Sequence, residues 1–257
     1  MIDLHAHILP DADDGPGGWE EALRMLARAA ADGITGMAAT PHVTPGLYDN
    51  DRDKVQRLVA ELRGRASGIK MEIYPGSELT ACADTLDGLK SGRCPTLNSS
   101  RYVLVETPGR FIPEQFEGFV ESLTTLGMVP LLAHPERSGK IQEDAELLYR
   151  LVRMGALTQL TAASFTGLFG ADIKKFAFWL LECRLVHIVA SDAHDDVRRP
   201  PVLSGALREI GGRIGERAAR AMVETLPMKI LLDETINVQE PHRPEKKSLF
   251  ARRRFFG

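Results

Sequence analysis

The sequence predicts a parallel α/β domain whose strands curl into a closed or nearly closed barrel. Three observations carry this. Seven short apolar, β-rich runs recur along the chain, and helical patterns fill most of the gaps between them. A crossover connection of that kind implies parallel pairing, because a parallel pair cannot be joined by a tight hairpin. No composition shift, Ser/Gly linker or internal repeat divides the 257 residues before the last stretch, and 44% hydrophobic with 26% charged residues is ordinary for a globular enzyme.

The elements follow in order. Ile2 to Leu4 is the first apolar run, and the helical pattern of Trp19 to Ala31 comes after it. Gly33 to Ala39 is the second strand, followed by a helix over Asp51 to Arg65; Met71 to Gly76 is the third. Tyr102 to Val105 leads to the helix Pro113 to Leu126, and Val129 to Ala133 leads to the helix Glu143 to Met154. Leu157 to Leu160 precedes the helix Gly170 to Glu182, and Val186 to Ala190 precedes further helix from about Leu203 to Leu232.

The polar residues fall in step with these strands. His5 and His7 follow the first; residues two apart in an extended segment share a face, so both rings can reach one ion. His42 comes after the second strand in Ala39-Thr40-Pro41-His42, Glu78 after the third in Gly76-Ser77-Glu78, and Glu106 ends the fourth. His134 ends the fifth in Ala133-His134-Pro135-Glu136-Arg137, and Asp192 and His194 end the seventh in Ala190-Ser191-Asp192-Ala193-His194. Taken singly, a Glu closing a strand is ordinarily a solvated residue or a helix cap. Six of the seven strands, however, deliver an acid or imidazole at the C-terminal end, where a parallel barrel builds its active site from several loops.

The segment Asp11-Ala12-Asp13-Asp14-Gly15 reads either as a turn into the first helix or as a source of one more ligand, Asp14. His5, His7, Asp14, His42, Glu78, Glu106, His134, Asp192 and His194 make nine nitrogen or oxygen donors with no thiolate. That is too many for one ion, and it suits a two- or three-metal centre with Glu78 bridging. Mixed imidazole and carboxylate donors accommodate manganese, iron or zinc.

With these motifs in place, the chain resembles the PHP (polymerase and histidinol phosphatase) metallohydrolases, in particular the bacterial protein-tyrosine phosphatases of capsule and exopolysaccharide loci. The resemblance rests on Ile2-Asp3-Leu4-His5-Ala6-His7, Asp13-Asp14-Gly15-Pro16, Thr40-Pro41-His42, Gly76-Ser77-Glu78, Pro95-Thr96-Leu97-Asn98, His134-Pro135-Glu136-Arg137, Asp192-Ala193-His194 and Arg199-Pro200-Pro201, in order from residue 1 to about 232. One mild departure is Leu226 before Pro227, outside the ligand set. The resemblance implies a distorted seven-stranded (β/α)7 barrel of the PHP type over residues 1–235, with a trinuclear, manganese-supported centre on all nine donors. It implies phosphate binding by Arg137 and Arg199, a role for which bidentate guanidinium geometry is suited; Arg198 beside Arg199 leaves the register open. The implied reaction is hydrolysis of phosphotyrosine by a metal-bridged hydroxide. The phenolate, with a parent pKa near ~10, needs no strong general acid, and no protein nucleophile is required. The implied partner is a membrane-associated, autophosphorylating bacterial tyrosine kinase that controls capsule or exopolysaccharide synthesis.

Several other readings are open to discrimination. Histidinol phosphate or nucleic acid as substrate would keep the protein among PHP phosphoesterases, and a kinase-binding regulatory module would leave the ligands without catalysis. A TatD-like nuclease or amidohydrolase also opens with His-x-His, but uses a shorter ligand list, and Lys70 lies before the third strand, badly placed for a bridging lysine. A cysteine phosphatase needs five residues between nucleophile and arginine; Cys94 and Arg101 have six, without the required glycines. Cys82, Cys94 and Cys183 are too few and too scattered for a disulfide framework.

A net charge of −3 gives no general attraction to nucleic acid, and no signal peptide is evident, so a cytoplasmic protein is expected. Residues 236–257 are expected to be a flexible tail, in which Arg243, Lys246, Lys247, Arg252, Arg253 and Arg254 interleave with Phe250, Phe255 and Phe256. Such a tail could also rest on the inner membrane face through its cations and aromatic rings.

Overall fold

The computed structural model describes residues 1–110 and 112–245. β1 (Ile2–Ala6), α1 (Trp19–Ala31), β2 (Gly36–Ala39), β3 (His42–Val43), α2 (Arg52–Arg65), β4 (Glu72–Pro75), β5 (Glu78–Leu79), α3 (Ala83–Lys90) and β6 (Tyr102–Glu106) form the first half. The second half runs through α4 (Pro113–Thr125), β7 (Val129–Ala133), α5 (Gly139–Glu143), α6 (Ala145–Arg153), β8 (Leu157–Thr161), α7 (Ala162–Thr166), α8 (Ala171–Glu182), β9 (Ile188–Ala190), α9 (Ser204–Ile214), α10 (Glu216–Val223) and α11 (Thr225–Leu231). Every strand pairing is parallel, as the crossover pattern requires.

The expected single seven-stranded barrel is corrected to two parallel sheets, ordered β1-β2-β4 and β3-β5-β6-β7-β8-β9. The second and third expected strands are each cut in two. Pro41 follows β2 and has no N–H to give a ladder, so the chain resumes as β3. Gly76 makes the second break, where a Cβ would meet the Leu97 and Thr40 side chains at 3.1 Å. The sheets stay in register across these breaks, since Thr40 N–H donates to Ala6 O at 3.0 Å and Glu78 N–H to Pro41 O at 3.0 Å. β1 meets β9 through one bridge, Ala6 with Ala193, rather than a continuous ladder.

Alternation sorts the strand residues into two cores. Val103, Val105, Leu132, Leu160 and Val189 pack outward against the helices in the larger cluster. Tyr102, Leu104, Leu131, Ala133, Leu157 and Ile188 face the other way and pack with Leu97 and with Ile230 and Leu231 of α11. The helix expected over 143–154 is α6, which Asp144, at φ −143° outside the helical region, separates from the short α5 before it. That expected from about 203 to 232 is three, ended at Gly215 (φ +90°) and at Glu224 (φ −132°). Residues 236–245 have no helix or strand, and they contact the body: His242 N–H donates to Cys183 O at 2.8 Å, and Arg243 pairs with Glu146 at 2.9 Å. The remainder of the expected tail, 246–257, lies outside the described residues.

Candidate metal centre

The C-terminal ends of the strands bring eight of the nine expected donors to one place. His5 Nε2 is 3.1 Å from His7 Nε2. Glu78 Oε2 lies 3.2 Å from the first and 3.4 Å from the second, and Asp192 Oδ1 lies 3.4 and 3.5 Å from them. All four side chains are buried. Hydrogen bonds behind the rings settle which nitrogens carry protons. His5 Nδ1 is 2.7 Å from the Gln159 carbonyl oxygen and His7 Nδ1 is 2.6 Å from Asp13 Oδ2, and both oxygens can only accept. In the neutral rings the proton therefore sits on Nδ1, and both Nε2 lone pairs face the two carboxylates. Four lone-pair atoms so arranged repel one another, and a cation among them turns the repulsion into coordination. Their separations match the edges of a coordination polyhedron, roughly 3.0–3.4 Å for bonds of about 2.1 Å.

Three overlapping groups have donor atoms close enough to hold an ion: His7, Asp14, His42 and His194; His5, His134 and Asp192; and His5, His7 and Glu78. Glu78 joins them, because Oε1 lies 2.9 Å from His134 Nε2 while Oε2 also lies 3.2 Å from His42 Nδ1. Asp14 Oδ1 is 3.6 Å from His42 Nε2 and 3.4 Å from His194 Nε2. The donors are imidazole and carboxylate throughout, which fits manganese, iron or zinc. Glu106 is in none of the three groups. Register explains the difference: Glu78 pairs with Leu104, so Glu106 stands two residues, about 6–7 Å, further along its strand.

The charge balance points the same way. Burial opposes a charge on His5, but Glu78 and Asp192 outweigh it and raise its pKa. For His7, burial is outweighed by the hydrogen bond to Asp13, and the pKa lies well above the ordinary value. Burial likewise opposes the Glu78 carboxylate, yet His5 and His134 hold its pKa well below the usual range. The centre thus stabilises positive charge. Burial and the Arg137 charge push His134 down to about 4, leaving it a neutral ligand.

Arg137 Nη2 lies 2.5 Å and Arg199 Nη2 2.6 Å from Asp192 Oδ2, opposite the oxygen that faces the histidines. Arg199 Nε is buried with no acceptor, a donor left for a ligand. Arg198 points away with its side chain 89% exposed, so of the two neighbours Arg199 is the one at the centre. Two of the ligand-bearing residues hold left-handed backbone, His134 at φ +37° and Asp192 at φ +52°. Such strain persists where surroundings over-determine it.

Sequence reasoning missed the supports. Asp13 accepts from His42 N–H at 2.8 Å and Gly15 N–H at 3.0 Å besides His7. Asp3, fully buried, accepts from Ser191 N–H at 2.9 Å and Ser191 Oγ at 2.5 Å, tying β1 to the residue before Asp192. Glu136 accepts from Thr161 N–H at 2.9 Å and Ser164 Oγ at 2.6 Å. Asp13, Asp3 and Glu136 stood inside recognised motifs; Gln159 had no motif to flag it. Cys94 is buried and its thiol is pushed up by burial, which disfavours the thiolate a cysteine phosphatase needs. Lys70 is exposed ahead of β4, at the wrong end of that strand for the centre.

A family model described as capsular polysaccharide synthesis, CpsB/CapC, matches residues 1–232. The chain is 34% identical to the tyrosine-protein phosphatase YwqE of Bacillus subtilis, over 98% of this chain and 99% of that one. It is 32% identical to the tyrosine-protein phosphatase CpsB of Streptococcus pneumoniae, over 92% and 100%. Among solved structures it is similar to one described with YwqE and CpsB as unique metal-dependent tyrosine phosphatases, with a TM-score of 0.91 at 34% identity over 96% of this chain and 100% of that one.

Proposed function

This chain belongs to the CpsB/CapC family of capsular polysaccharide synthesis, and from that premise we propose that it is a metal-dependent protein-tyrosine phosphatase of the PHP type. The observation that carries the reading is the convergence of the His5, His7, Glu78 and Asp192 lone pairs directly beside two arginines.

His5, His7, Asp14, His42, Glu78, His134, Asp192 and His194 would hold two or three ions, manganese first among the candidates, with Glu106 as an outer carboxylate. Bound divalent cations supply a lowered water pKa and charge neutralisation on the phosphoryl oxygens. Arg137 and Arg199, held by single nitrogens on Asp192, keep further N–H donors for the phosphate and stabilise the charge that builds on it during displacement. Asp192 thereby fixes the arginines relative to the histidines. The leaving phenolate departs without a strong acid, since its conjugate acid has a pKa near ~10.

The substrate class is a phosphotyrosine protein, and a membrane-associated bacterial tyrosine kinase governing capsule or exopolysaccharide synthesis is the proposed partner. A cytoplasmic protein working at the inner membrane face fits that role. No helix among the described residues is long and apolar enough to cross a membrane, so contact there would fall to the 236–257 segment.

The test is phosphate release from a phosphotyrosine peptide by metal-stripped protein with and without Mn²⁺, with histidinol phosphate as a competing substrate. Metal-dependent release, lost in His134→Ala and cut at least 100-fold in Arg137→Ala, is expected. Release from histidinol phosphate alone would move the substrate to a small molecule.

A further inference from the structure

One short turn carries both a candidate ligand and a candidate phosphate clamp. The chain leaves β7 through His134, left-handed at φ +37°, and closes a 3₁₀ turn over Pro135–Arg137 in which Arg137 N–H donates to His134 O at 3.0 Å. His134 Nε2 reaches Glu78 Oε1 at 2.9 Å, and Arg137 Nη2 reaches Asp192 Oδ2 at 2.5 Å. Glu136, between them in sequence, reaches instead to the junction of β8 and α7, where its Oε1 accepts from Thr161 N–H at 2.9 Å and from Ser164 Oγ at 2.6 Å.

Glu136 is fully buried, and its Oε2 has no hydrogen-bond partner among the described residues. A carboxylate withdrawn from water to meet two neutral donors costs stability that an amide or hydroxyl acceptor would save. What the charge adds is grip, since a charge-assisted hydrogen bond is about twice as strong as a neutral one. The two residues it stands between depend on that grip unequally. His134 has its own anchor, because its N–H donates to Gln159 O at 2.7 Å. The Arg137 N–H is used within the turn, so the residues flanking Arg137 are what fasten it: Glu136 to β8 and α7, and Ser138, whose Oγ donates to Pro108 O at 2.7 Å, to the loop after β6. Arg199 stands on a separate loop, where its N–H donates to Asp195 Oδ1 at 3.2 Å.

We propose that Glu136 is the positioning residue of Arg137: through Thr161 and Ser164 it seats the turn so that the guanidinium meets Asp192 and the phosphoryl group together. The proposal rests on the reading of Arg137 as a phosphate-binding residue and adds what places it. Glu136 touches neither substrate nor ion, and its effect passes through the arginine. A displacement of about 1 Å at a group that stabilises the reacting phosphoryl can lower the rate by up to about 100-fold.

Three quantities test this on the full chain: calorimetric binding of inorganic phosphate to the Mn²⁺-loaded protein, Mn²⁺ titration of the apo protein, and kcat and KM on a phosphotyrosine peptide. Glu136→Ala is expected to lower kcat by about 10–100-fold and to weaken phosphate binding while leaving Mn²⁺ affinity unchanged. Glu136→Gln, which keeps the acceptor and loses the charge, should lie between wild type and alanine, and Ser164→Ala should act in the same direction by less. In an Arg137→Ala background Glu136→Ala should weaken phosphate binding by no more than about twofold further, because an absent guanidinium cannot be misplaced. An equal loss in both backgrounds, or a loss of Mn²⁺ affinity matching that of phosphate, would make Glu136 a general support of the fold and overturn the proposal. Should Glu136→Ala not fold, Ser164→Ala in the same two backgrounds decides, and unchanged phosphate binding in it would overturn the proposal too. Phosphate binding indifferent to Arg137→Ala would defeat the reading of Arg137 itself, and the proposal with it.

Discussion

Asp13 and Gln159 need touch no ion themselves to control the centre. Each fixes the proton of one histidine on Nδ1, so that the opposite nitrogen faces inward with its lone pair. Such partners behind a ligand commonly contribute 10–100-fold to metal affinity. Asp13 also fastens the backbone of His42 and of Gly15, a position where a Cβ would meet His7 O at 2.7 Å. Asp13→Ala should therefore lower Mn²⁺ affinity by about 10–100-fold, and titration of the apo protein would show it. Unchanged affinity would mean that His7 keeps its tautomer without help. At this scale the sequence exposed the donors, because histidines and acids at strand ends are visible as residue types. It named Asp14 as the ligand of its turn but gave no role to Asp13 behind it, because that support depends on how one turn folds.

At the scale of elements, β8 and β9 are joined by an unusual rung. His187, just before β9, accepts the Thr158 N–H on Nδ1 at 3.0 Å, while Thr158 Oγ1 donates to Leu185 O at 2.6 Å. Protonation of Nδ1 would remove that acceptor. Burial lowers the His187 pKa to about 4, below the imidazole value in water, so the unfolded chain takes up its proton first as pH falls. The associated stability is complete above about pH 6.5 and drains away as pH drops towards 4, amounting to about 3 kcal/mol. Urea unfolding of wild type and His187→Gln between pH 7 and pH 4.5 tests this. The variant should lose part of the pH dependence, and parallel curves would contradict it. The apolar runs located all the long strands to within a few residues, since the burial of both faces leaves a nearly continuous hydrophobic signature. They did not reveal β3, β5 or the helix breaks. Those follow from single residues, Pro41, Gly76, Asp144 and Gly215, whose effect on direction is decided by their surroundings.

For the whole molecule, the centre is a junction. His5 lies in β1 of one sheet, while His42 and Glu78 belong to the other and Asp192 follows β9, where the Ala6–Ala193 bridge and the backbone bonds Asp192 N–H to His5 O and His7 N–H to Ala193 O join the two sheets. Asp14, Glu78 and Asp192 bring three carboxylates together among the histidines of the centre, and Glu106 adds its charge from further along β6. Bound cations would relieve that excess and cross-link the sheets, so chelation should lower the unfolding midpoint and Mn²⁺ should restore it. An ion at 100 times its dissociation constant contributes about 2.7 kcal/mol. A midpoint indifferent to chelation would show that the junction stands on protein contacts alone. By itself the sequence determined the parallel α/β class, the strand order along the chain and the donor types, because periodicity and residue chemistry are local properties. Only the tertiary structure decided that the strands form two sheets rather than one barrel, that Glu106 stands outside the clusters, and that Arg199 rather than Arg198 meets Asp192. Each of those depends on register between segments far apart in sequence, and a shift of one or two residues along a strand moves a side chain to the other face or beyond reach.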